Sequence, residues 1–343
     1  MEENNNNIIS GFKFAEISDV IFSGVFLKSQ INMLKLQENV EQHIGDKEYF
    51  FVRKKYFTLK ENDIIFCKTE YVKELFNVLN KQCKFKNIKL ITHQSDLKIT
   101  KKIYKLKPKC ISKWFSINVD YADPDLIPIP LGVANFHSKN LNENSFKNKN
   151  LNFFSEKTNL LYLNFNPNTN FQHRKSLYNQ FKNEEWVDYD ELPILKREYQ
   201  QKISQHKFTL APWGNGIDTH RFWEALYSGS IPVTKKHIIY SSFKTLPVLL
   251  VDNYNNISKT YLNEEFKKLT TKSNELNLDE LNFEFWKKKI SQNRIILENE
   301  NAILLNNKWH YYYRYSADFK HVILSKLKIF NRIRRFIYKK LGF

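Results

Sequence analysis

One stretch, residues 206–233, most constrains what this chain can fold into; it reads HKFTLAPWGNGIDTHRFWEALYSGSIPV. An apolar run at 208–211 leads into a turn rich in Pro, Gly and Asn, a helical pattern follows, and a second apolar run begins at Ile231. This order predicts a strand, a loop, a helix and a second strand. The stretch also holds a dense set of polar side chains, namely Asn215, Asp218, Thr219, His220, Arg221 and Glu224. We therefore expect the functional site here.

The loop and the start of the following helix are suited to binding an anion. Two glycines in the loop let backbone N–H groups approach a ligand closely, and Asp218 or Thr219 can cap the helix, which is predicted at about 220–228. A helix N-terminus carries about half a positive charge and free N–H donors, which suits a diphosphate. Arg221 can add a charge-assisted contact to the same ligand.

A carboxylate and a second cation extend this candidate site. Glu224 follows Arg221 by three residues and shares its helical face, so both side chains can contact one ligand. A carboxylate only accepts hydrogen bonds, which suits the two hydroxyls of a ribose. Arg174, at the start of a helix that follows a strand and a turn, is a candidate second cation. Two simpler interpretations stay open: Arg221 and Glu224 form a surface ion pair, and Arg174 is a solvent-exposed helix residue.

Short apolar runs alternate with helical patterns along the rest of the chain. Buried strands are predicted at 63–69, 89–92 and 159–165. Strands that alternate with helices form parallel sheets covered on both faces. Ligands of such sheets bind beyond the carboxyl ends of the strands, where His93 and Asp96 follow the strand at 89–92.

The length of 343 residues predicts two domains of roughly 150 residues each. The best candidate linker is the polar, Asn- and Lys-rich stretch 138–158. We therefore expect an N-terminal domain at 1–155, a second domain at 156–318 and a basic tail at 319–343. Within the first domain, residues 12–25 are expected to form a strand followed by a helix or by a second strand.

The chain is basic, with 54 Lys and Arg against 36 Asp and Glu and a formal net charge of +18. Such a charge suits nucleic acid, anionic lipid or phosphorylated substrates and does not choose between them. Residues 320–343 combine apolar residues at helical spacing with unopposed Lys and Arg, as in amphipathic helices that bind an anionic membrane surface. A terminal helix packed on the body, with a solvated basic face, is the alternative for this tail.

Localisation is predicted from what the sequence does not contain. No apolar run reaches the length of a membrane span, no signal peptide is visible, and the three cysteines form no CxxC pattern. We therefore expect a cytoplasmic protein that associates with the membrane surface.

Motifs for other chemistries are absent or weak. The chain has neither GxxxxGK[ST] nor GxGxxG, which excludes a P-loop enzyme and leaves a dinucleotide fingerprint unsupported. The DxD at 123–125 is typical of metal-dependent sugar transferases, but Asp-Pro is also common in turns and a turn is the preferred interpretation. No cluster of His and Cys suggests a zinc site.

The stretch 206–233 resembles the donor-binding segment of exostosin-like glycosyltransferases. In that family a strand ending in Pro precedes a Gly-containing loop, an R-F/W-x-E-A-L helix and a G-x-I/V-P-V strand. Three further segments fit bacterial and viral members of the family: HQSD at 93–96, KWFSINVDYADPDLIPIPLGVAN at 113–135 and YLNFNPNTNFQHR at 162–174. The resemblance covers roughly residues 60–250 and excludes the first 50 residues and the tail.

The resemblance implies an α/β fold of the GT-B type, in which two Rossmann-like domains face each other across a cleft. The second domain would bind a nucleotide-sugar donor and the first an acceptor, and the sugar would be transferred with inversion and without a metal. Glu224 would bind the ribose, and Arg221 and Arg174 the diphosphate. The sugar-phosphate would be lined by Asn215, Gly216, Asp218 and Thr219.

Inverting transfer needs a base near the acceptor hydroxyl, which the first domain is expected to supply. Asp96 is the first candidate and His93 the second, because both lie at the end of a parallel strand; Asp19 and Glu16 stay open. The expected acceptor is a hydroxyl of a glycan or lipid-linked glycan.

Three other functions stay open, one of which is a membrane-peripheral scaffold that binds no nucleotide. A fucosyltransferase-like GT-B enzyme using GDP-fucose is the alternative within the same class, because its donor helix also ends in A-L-x-x-G-x-x-P-V. A non-catalytic basic protein that binds nucleic acid is an alternative outside it. A nucleic-acid partner is not expected, because the basic residues concentrate in the tail rather than alternate with aromatic residues.

Overall fold

The computed structural model describes residues 7–34, 40–44, 49–135, 141–146, 151–191, 194–292 and 301–303. The basic helix predicted at 319–343 lies outside these residues. Among the helices of the described part, none combines the length and the apolar character needed to cross a bilayer.

The first half of the chain forms a seven-stranded sheet. Its helices are α1 (Gly11–Glu16), α2 (Lys28–Met33), α3 (Val72–Gln82) and α4 (Lys101–Tyr104). The strands of this half are β1 (Val20–Leu27), β2 (Val40–Ile44), β3 (Tyr49–Lys54), β4 (Phe57–Leu59), β5 (Ile64–Lys68), β6 (Ile88–His93), β7 (Ile99–Thr100), β8 (Ile111–Ser116), β9 (Val119–Asp120) and β10 (Leu126–Pro128). All but β4, β7 and β9 belong to the seven-stranded sheet. The sheet order is β10-β8-β6-β5-β1-β3-β2. The first five strands in this order are parallel, and β3 and β2 add an antiparallel edge.

The second half forms a five-stranded sheet in which every pair is parallel. Its strands are β11 (Asn159–Leu163), β12 (Val187–Tyr189), β13 (His206–Leu210), β14 (Ile231–Lys235) and β15 (Leu249–Val251). Its helices are α5 (Phe171–Phe181), α6 (Lys196–Gln205), α7 (His220–Tyr227), α8 (Lys259–Thr271) and α9 (Phe283–Ser291). A last strand, β16 (Asn301–Ile303), pairs with β4. The predicted α/β class with parallel sheets is confirmed.

Residues 12–25 differ from both sequence-based alternatives. They form a helix followed by a strand, α1 and then β1, rather than a structure that begins with a strand. Phe14 and Ala15 of α1 are fully buried, and Phe14 packs edge-on against Phe283 and stacks on His93. A short apolar run has no periodicity that separates a buried helix from a strand, so tertiary contacts decided this segment.

The stretch predicted as a linker, 138–158, packs on the protein wherever it is described. Leu141, Phe146 and Phe153 are each less than 5% exposed. The Phe146 ring lies 5.6 Å from the ring of Tyr227 in α7. Apolar side chains among the Asn and Lys residues therefore pack on the protein in the described parts of this stretch. The predicted division at 155 itself stays a prediction.

Hydrogen bonds between segments that are far apart in the sequence also join the two halves. The hydroxyl of Tyr227 accepts a hydrogen bond from Ile9 N (3.0 Å) and donates one to Leu281 O (2.7 Å). Lys89 of β6 donates through Nζ to Ile290 O, 2.7 Å away, at the end of α9. These buried contacts join the segment before α1 and the segment before α9 to the end of α7, and join the first sheet to the end of α9.

Candidate functional site

The second sheet has a crevice at the point where its strand order reverses. Its order is β12-β11-β13-β14-β15, so the chain leaves β11 to one side for β12 and later to the other side for β13. Loops that diverge in this way leave room for a ligand beyond the carboxyl ends of the strands. A cavity of about 270 Å³ lies there. Its polar lining consists of Asn164, Arg174, Lys196, Tyr199, Thr219, His220, Arg221 and Glu224.

The structure thus brings Arg174, Arg221 and Glu224 into one cavity, as the sequence predicted. The surface ion pair considered for Arg221 and Glu224 is wrong. Glu224 is 4% exposed, and the hydroxyl of Tyr199 lies between the two side chains. Arg221 Nε donates to Tyr199 Oη at 3.0 Å, and Tyr199 Oη donates to Glu224 Oε2 at 2.7 Å.

This bridge sets the protonation states on the cavity wall. Burial raises the pKa of Tyr199, so its hydroxyl keeps the proton that it donates to Glu224. Burial lowers the pKa of Arg221, but Tyr199 and Glu224 outweigh that effect and hold it above its ordinary value. Arg221 also donates through Nη2 to Asn164 Oδ1 at 3.3 Å. Glu224 Oε1 accepts no hydrogen bond from any described residue, so this oxygen can accept one from a ligand hydroxyl.

Arg174 lies under the loop that follows β13 rather than in solvent. It is 6% exposed, and it donates through Nη2 to Pro212 O (2.8 Å) and through Nε to Trp213 O (2.9 Å). Burial, and then the nearby charge of Arg221, lower its pKa to about 10. Neither guanidinium forms an ion pair with a carboxylate of the described chain. With Lys196, three cations and one carboxylate line the cavity, and this excess of positive charge favours an anionic ligand.

The backbone N–H groups of the loop were predicted to bind a ligand, but two of them bind a side chain of the protein. Asn118, from the first half of the chain, accepts hydrogen bonds from Ile217 N (2.8 Å) and Asp218 N (3.1 Å) and donates to Ser95 O (3.0 Å). A Cβ on Gly216 would lie 2.9 Å from Asn118 Nδ2. Gly216 therefore admits a side chain of the first half, and the N–H groups of residues 217 and 218 bind that side chain instead of a phosphate.

Asp218 joins the same contact between the halves. Its Oδ2 accepts from Leu131 N at 2.8 Å, its Oδ1 from Thr219 N at 2.8 Å, and both oxygens lie 3.0 Å from Trp223 Nε1. Burial raises its pKa to about 6. The predicted side-chain cap is wrong, because neither Asp218 nor Thr219 caps α7 by a hydrogen bond. The Thr219 hydroxyl is buried and forms no hydrogen bond with the described residues.

A larger cavity, of about 610 Å³, lies between the carboxyl edges of the two sheets. The first half lines it with residues at or after the ends of β1, β5 and β6, including Val25, Glu70, His93, Gln94, Ser95 and Asp96. The second half lines it with Gly214, Asn215, Gly216, Asp218, Thr219 and His220. Thr219 and His220 line the smaller cavity too, so the two cavities adjoin at the start of α7.

His93 is placed at this cavity, but its imidazole is already engaged. Nδ1 accepts a hydrogen bond from Gln94 N at 2.8 Å, which leaves Nε2 as the donor to Pro130 O at 3.3 Å. His93 is 2% exposed, and burial lowers its pKa to about 4. A neutral imidazole with both nitrogens occupied is a poor proton acceptor, so the geometry favours a supporting role over that of a base.

Asp96 is the better placed of the two predicted bases. It is exposed at the larger cavity, and its carboxylate accepts no hydrogen bond from the described chain. The two other candidates differ: Asp19 Oδ2 accepts from Ile64 N at 2.8 Å, and Glu16 does not line the cavity. Glu70, which sequence reasoning missed, lines the cavity and pairs with Lys68.

The site residues that the sequence did not predict are those that contact the 214–224 segment from distant parts of the chain. Tyr199 and Asn164 contact Arg221 from α6 and from the end of β11, and nothing in their own neighbourhoods indicates this. Asn118 has one local signal. Its φ is +52°, and Asn adopts this left-handed region more readily than most residues.

The DxD at 123–125 forms a turn, as preferred. Asp123 Oδ1 accepts from Tyr104 Oη at 2.5 Å and from Asp125 N at 2.9 Å. The Tyr104 hydrogen bond lowers the pKa of Asp123. Within the described ranges, no group of three or more His, Cys, Asp and Glu residues is arranged to hold a metal ion.

Comparisons with known proteins add little to this picture. No protein-family model matches the sequence, and no curated protein matches it. The structure is similar to a chain in the crystal structure of the GtfA/B complex, with 9% sequence identity and a TM-score of 0.29 over 75% of this chain. This chain spans 62% of the length of that one. A similarity of this size carries no argument about activity, and the exostosin-like resemblance stays a prediction.

Proposed function

We propose that this protein is a glycosyltransferase that takes its sugar from a nucleotide-sugar donor. In this proposal residues 1–155 and 156–318 are the two domains of a GT-B enzyme, and the larger cavity is the cleft between them. One observation carries the proposal. At the switch point of a parallel sheet, two guanidinium groups without carboxylate partners in the described chain lie beside a carboxylate with a free oxygen.

The donor occupies the smaller cavity. Its ribose binds Glu224 through Oε1, and its diphosphate lies against Arg174, Arg221 and the amides of residues 220 and 221 at the start of α7, which have no intrahelical partner. The sugar extends past Thr219 into the larger cavity, toward Asn215 and the rest of the 214–219 loop. This direction follows from the adjoining walls of the two cavities.

The acceptor, a glycan or a lipid-linked glycan, enters from the first half of the chain. Its hydroxyl oxygen attacks the anomeric carbon from the face opposite the diphosphate, and the carbon–oxygen bond to the phosphate breaks with its electron pair on the departing oxygen. Asp96 accepts the hydroxyl proton. The reaction inverts the anomeric centre, and leaving-group charge is met by the cations and helix end instead of a metal.

Ligand binding followed by product analysis tests this proposal. We expect UDP, GDP or CMP, and the matching nucleotide sugar, to raise the melting temperature, and mass spectrometry to detect transfer to a glycan or lipid-linked acceptor. Comparing GDP-fucose with UDP-sugars separates the fucosyltransferase-like alternative. No shift with any nucleotide, together with steeply salt-dependent binding of RNA or DNA, would overturn the proposal in favour of a nucleic-acid-binding protein.

A further inference from the structure

His220 lies where the two cavities meet. Together with Thr219 it lines both the 270 Å³ cavity at the switch point and the 610 Å³ cavity between the sheets. A donor whose nucleotide fills the first cavity and whose sugar fills the second has the bond between phosphate and sugar at this junction. His220 is therefore next to the bond that would break.

The orientation of the His220 ring is set by the first half of the chain. Its Nδ1 lies 2.7 Å from Gly132 O, and a carbonyl oxygen only accepts, so Nδ1 carries a hydrogen. The Gly132 backbone is itself held in place: its φ is +72°, and a Cβ there would lie 2.2 Å from Ile9 O. With Nδ1 engaged, Nε2 is left without a partner among the described residues.

We propose that His220 is a catalytic residue that acts as an imidazolium. Its Nδ1–H stays on Gly132 O, and its Nε2–H donates a hydrogen bond to the diphosphate oxygen that leaves the anomeric carbon. This inference rests on the proposed glycosyltransferase function and assigns a role at the same site. As the bond between carbon and oxygen breaks, the electron pair stays on the phosphate oxygen, and the charge that develops there is met by Nε2–H. The proton of the acceptor hydroxyl goes to Asp96, so His220 gains and loses no proton in the step.

The surroundings of His220 suit this role better than that of a base. Arg221 follows it in the chain, Arg174 lines the same small cavity, and the α7 N-terminus adds partial positive charge. This side of the junction is built for an anion. Arg221, Arg174 and the helix end repel a positive charge on the ring, and the negative charge of the bound diphosphate offsets that repulsion. Because Gly132 lies in the first half, the ring is oriented only while the two halves are in contact.

Two substitutions at His220 distinguish the roles of its two ring nitrogens. His220→Asn keeps a donor near the position of Nδ1, for Gly132 O, and removes the group at Nε2. His220→Gln places an amide N–H near the position of Nε2. The matched control is His173→Asn, because His173 is an exposed residue of α5 outside both cavities.

The variants are compared with wild type in affinity for the nucleotide sugar and for the nucleoside diphosphate, by calorimetry without acceptor, and in turnover with nucleotide sugar and acceptor. We expect His220→Asn to lower kcat by about 10²- to 10³-fold, as loss of one preorganised donor to a developing oxyanion does, with affinity for the intact nucleotide sugar nearly unchanged. Affinity for the nucleoside diphosphate should fall, because its terminal oxygen is the leaving oxygen that Nε2–H contacts. His220→Gln should retain more turnover, and the control should match wild type. Added imidazole should restore turnover to His220→Ala, which a purely structural role would not allow.

The outcomes separate this inference from the proposed function. Wild-type turnover in His220→Asn, or equal losses in the Asn and Gln variants without imidazole rescue of His220→Ala, overturns the role of His220 and leaves the glycosyltransferase standing. If wild type binds no nucleotide and transfers no sugar, both proposals fail together.

Discussion

The Asn118 Oδ1 atom lies 2.8 Å from the backbone nitrogen of Ile217, although 99 residues separate the two in the sequence. The same oxygen lies 3.1 Å from Asp218 N. One buried carboxamide from the first half of the chain thus shapes the loop that opens the candidate donor site in the second half. Loss of this side chain is expected to affect the stability of the protein and the geometry of the site together.

Replacing Asn118 should destabilise the protein by about 2–4 kcal/mol, because buried N–H groups at residues 217 and 218 lose their acceptor. Asn118→Ala should cost more than Asn118→Gly, since the backbone there has a φ of +52°, which glycine adopts without strain. Urea unfolding of the two variants measures this. Equal stability of both variants and wild type would show that Asn118 does not hold the loop.

The hydroxyl of Tyr199 should matter for nucleotide binding although it is not expected to touch the ligand. Tyr199→Phe removes the bridge between Arg221 and Glu224, and we expect the affinity for a nucleoside diphosphate to fall about tenfold, the size of one hydrogen bond to a charged group. Calorimetric titration checks it. The control is Tyr178→Phe, since Tyr178 packs against Tyr189 away from the cavity; an equal loss in both variants would contradict the prediction.

Arg174 should contribute to binding of the diphosphate rather than of the nucleoside. Arg174→Met removes one buried positive charge, so binding of a nucleoside diphosphate should weaken by roughly 1.5–3 kcal/mol while binding of the uncharged nucleoside changes little. The two affinities are measured for this variant and for Arg197→Met, which removes an exposed arginine of α6. Equal weakening of both ligands would place Arg174 away from the phosphates.

His93 should make stability depend on pH. Its pKa is lowered from 6.5 to about 4 in the folded protein because it is buried. Between these values the unfolded chain binds more protons than the folded one, so this residue's contribution to the free energy of unfolding is present above pH 6.5 and falls by about 3 kcal/mol as pH drops toward 4.

His93→Gln removes that contribution and keeps an N–H that can reach Pro130 O. Denaturant unfolding between pH 4 and 7 should therefore show a smaller acid loss of stability in this variant than in wild type. Asp218, whose pKa is raised to about 6 by burial, contributes with the opposite sign, so the comparison between variants is more informative than the wild-type curve alone. A curve for His93→Gln parallel to wild type would refute the assignment.

The basic tail is proposed to bind an anionic membrane surface. Deleting residues 320–343 should release the protein from vesicles that contain anionic lipid, and wild-type binding should weaken as salt is raised. Vesicle sedimentation measures both. Unchanged binding by the shortened chain would mean that the membrane contact lies elsewhere.

The stretch 206–233 shows which structural features can be predicted from local sequence patterns. Its strand, loop, helix and strand follow from apolar spacing and from the turn residues between them, and the structure has them as β13, α7 and β14 with small shifts at the ends. Arg221 and Glu224 share a helical face by their spacing, so their shared cavity was predictable as well. The phenol between them was not, because Tyr199 belongs to another helix and its spacing in the chain carries no information about α7.

The sequence by itself determined the α/β class, the elements of the second half and the set of polar side chains at the start of α7, since periodicity and turn chemistry act over a few residues. The tertiary structure alone decided how those side chains are used. It gives the amides of residues 217 and 218 to Asn118, the oxygens of Asp218 to Leu131 and Trp223, and the Nδ1 of His220 to Gly132. These donors and acceptors are buried between the two halves, where each must find a partner, and most of those partners are distant in sequence.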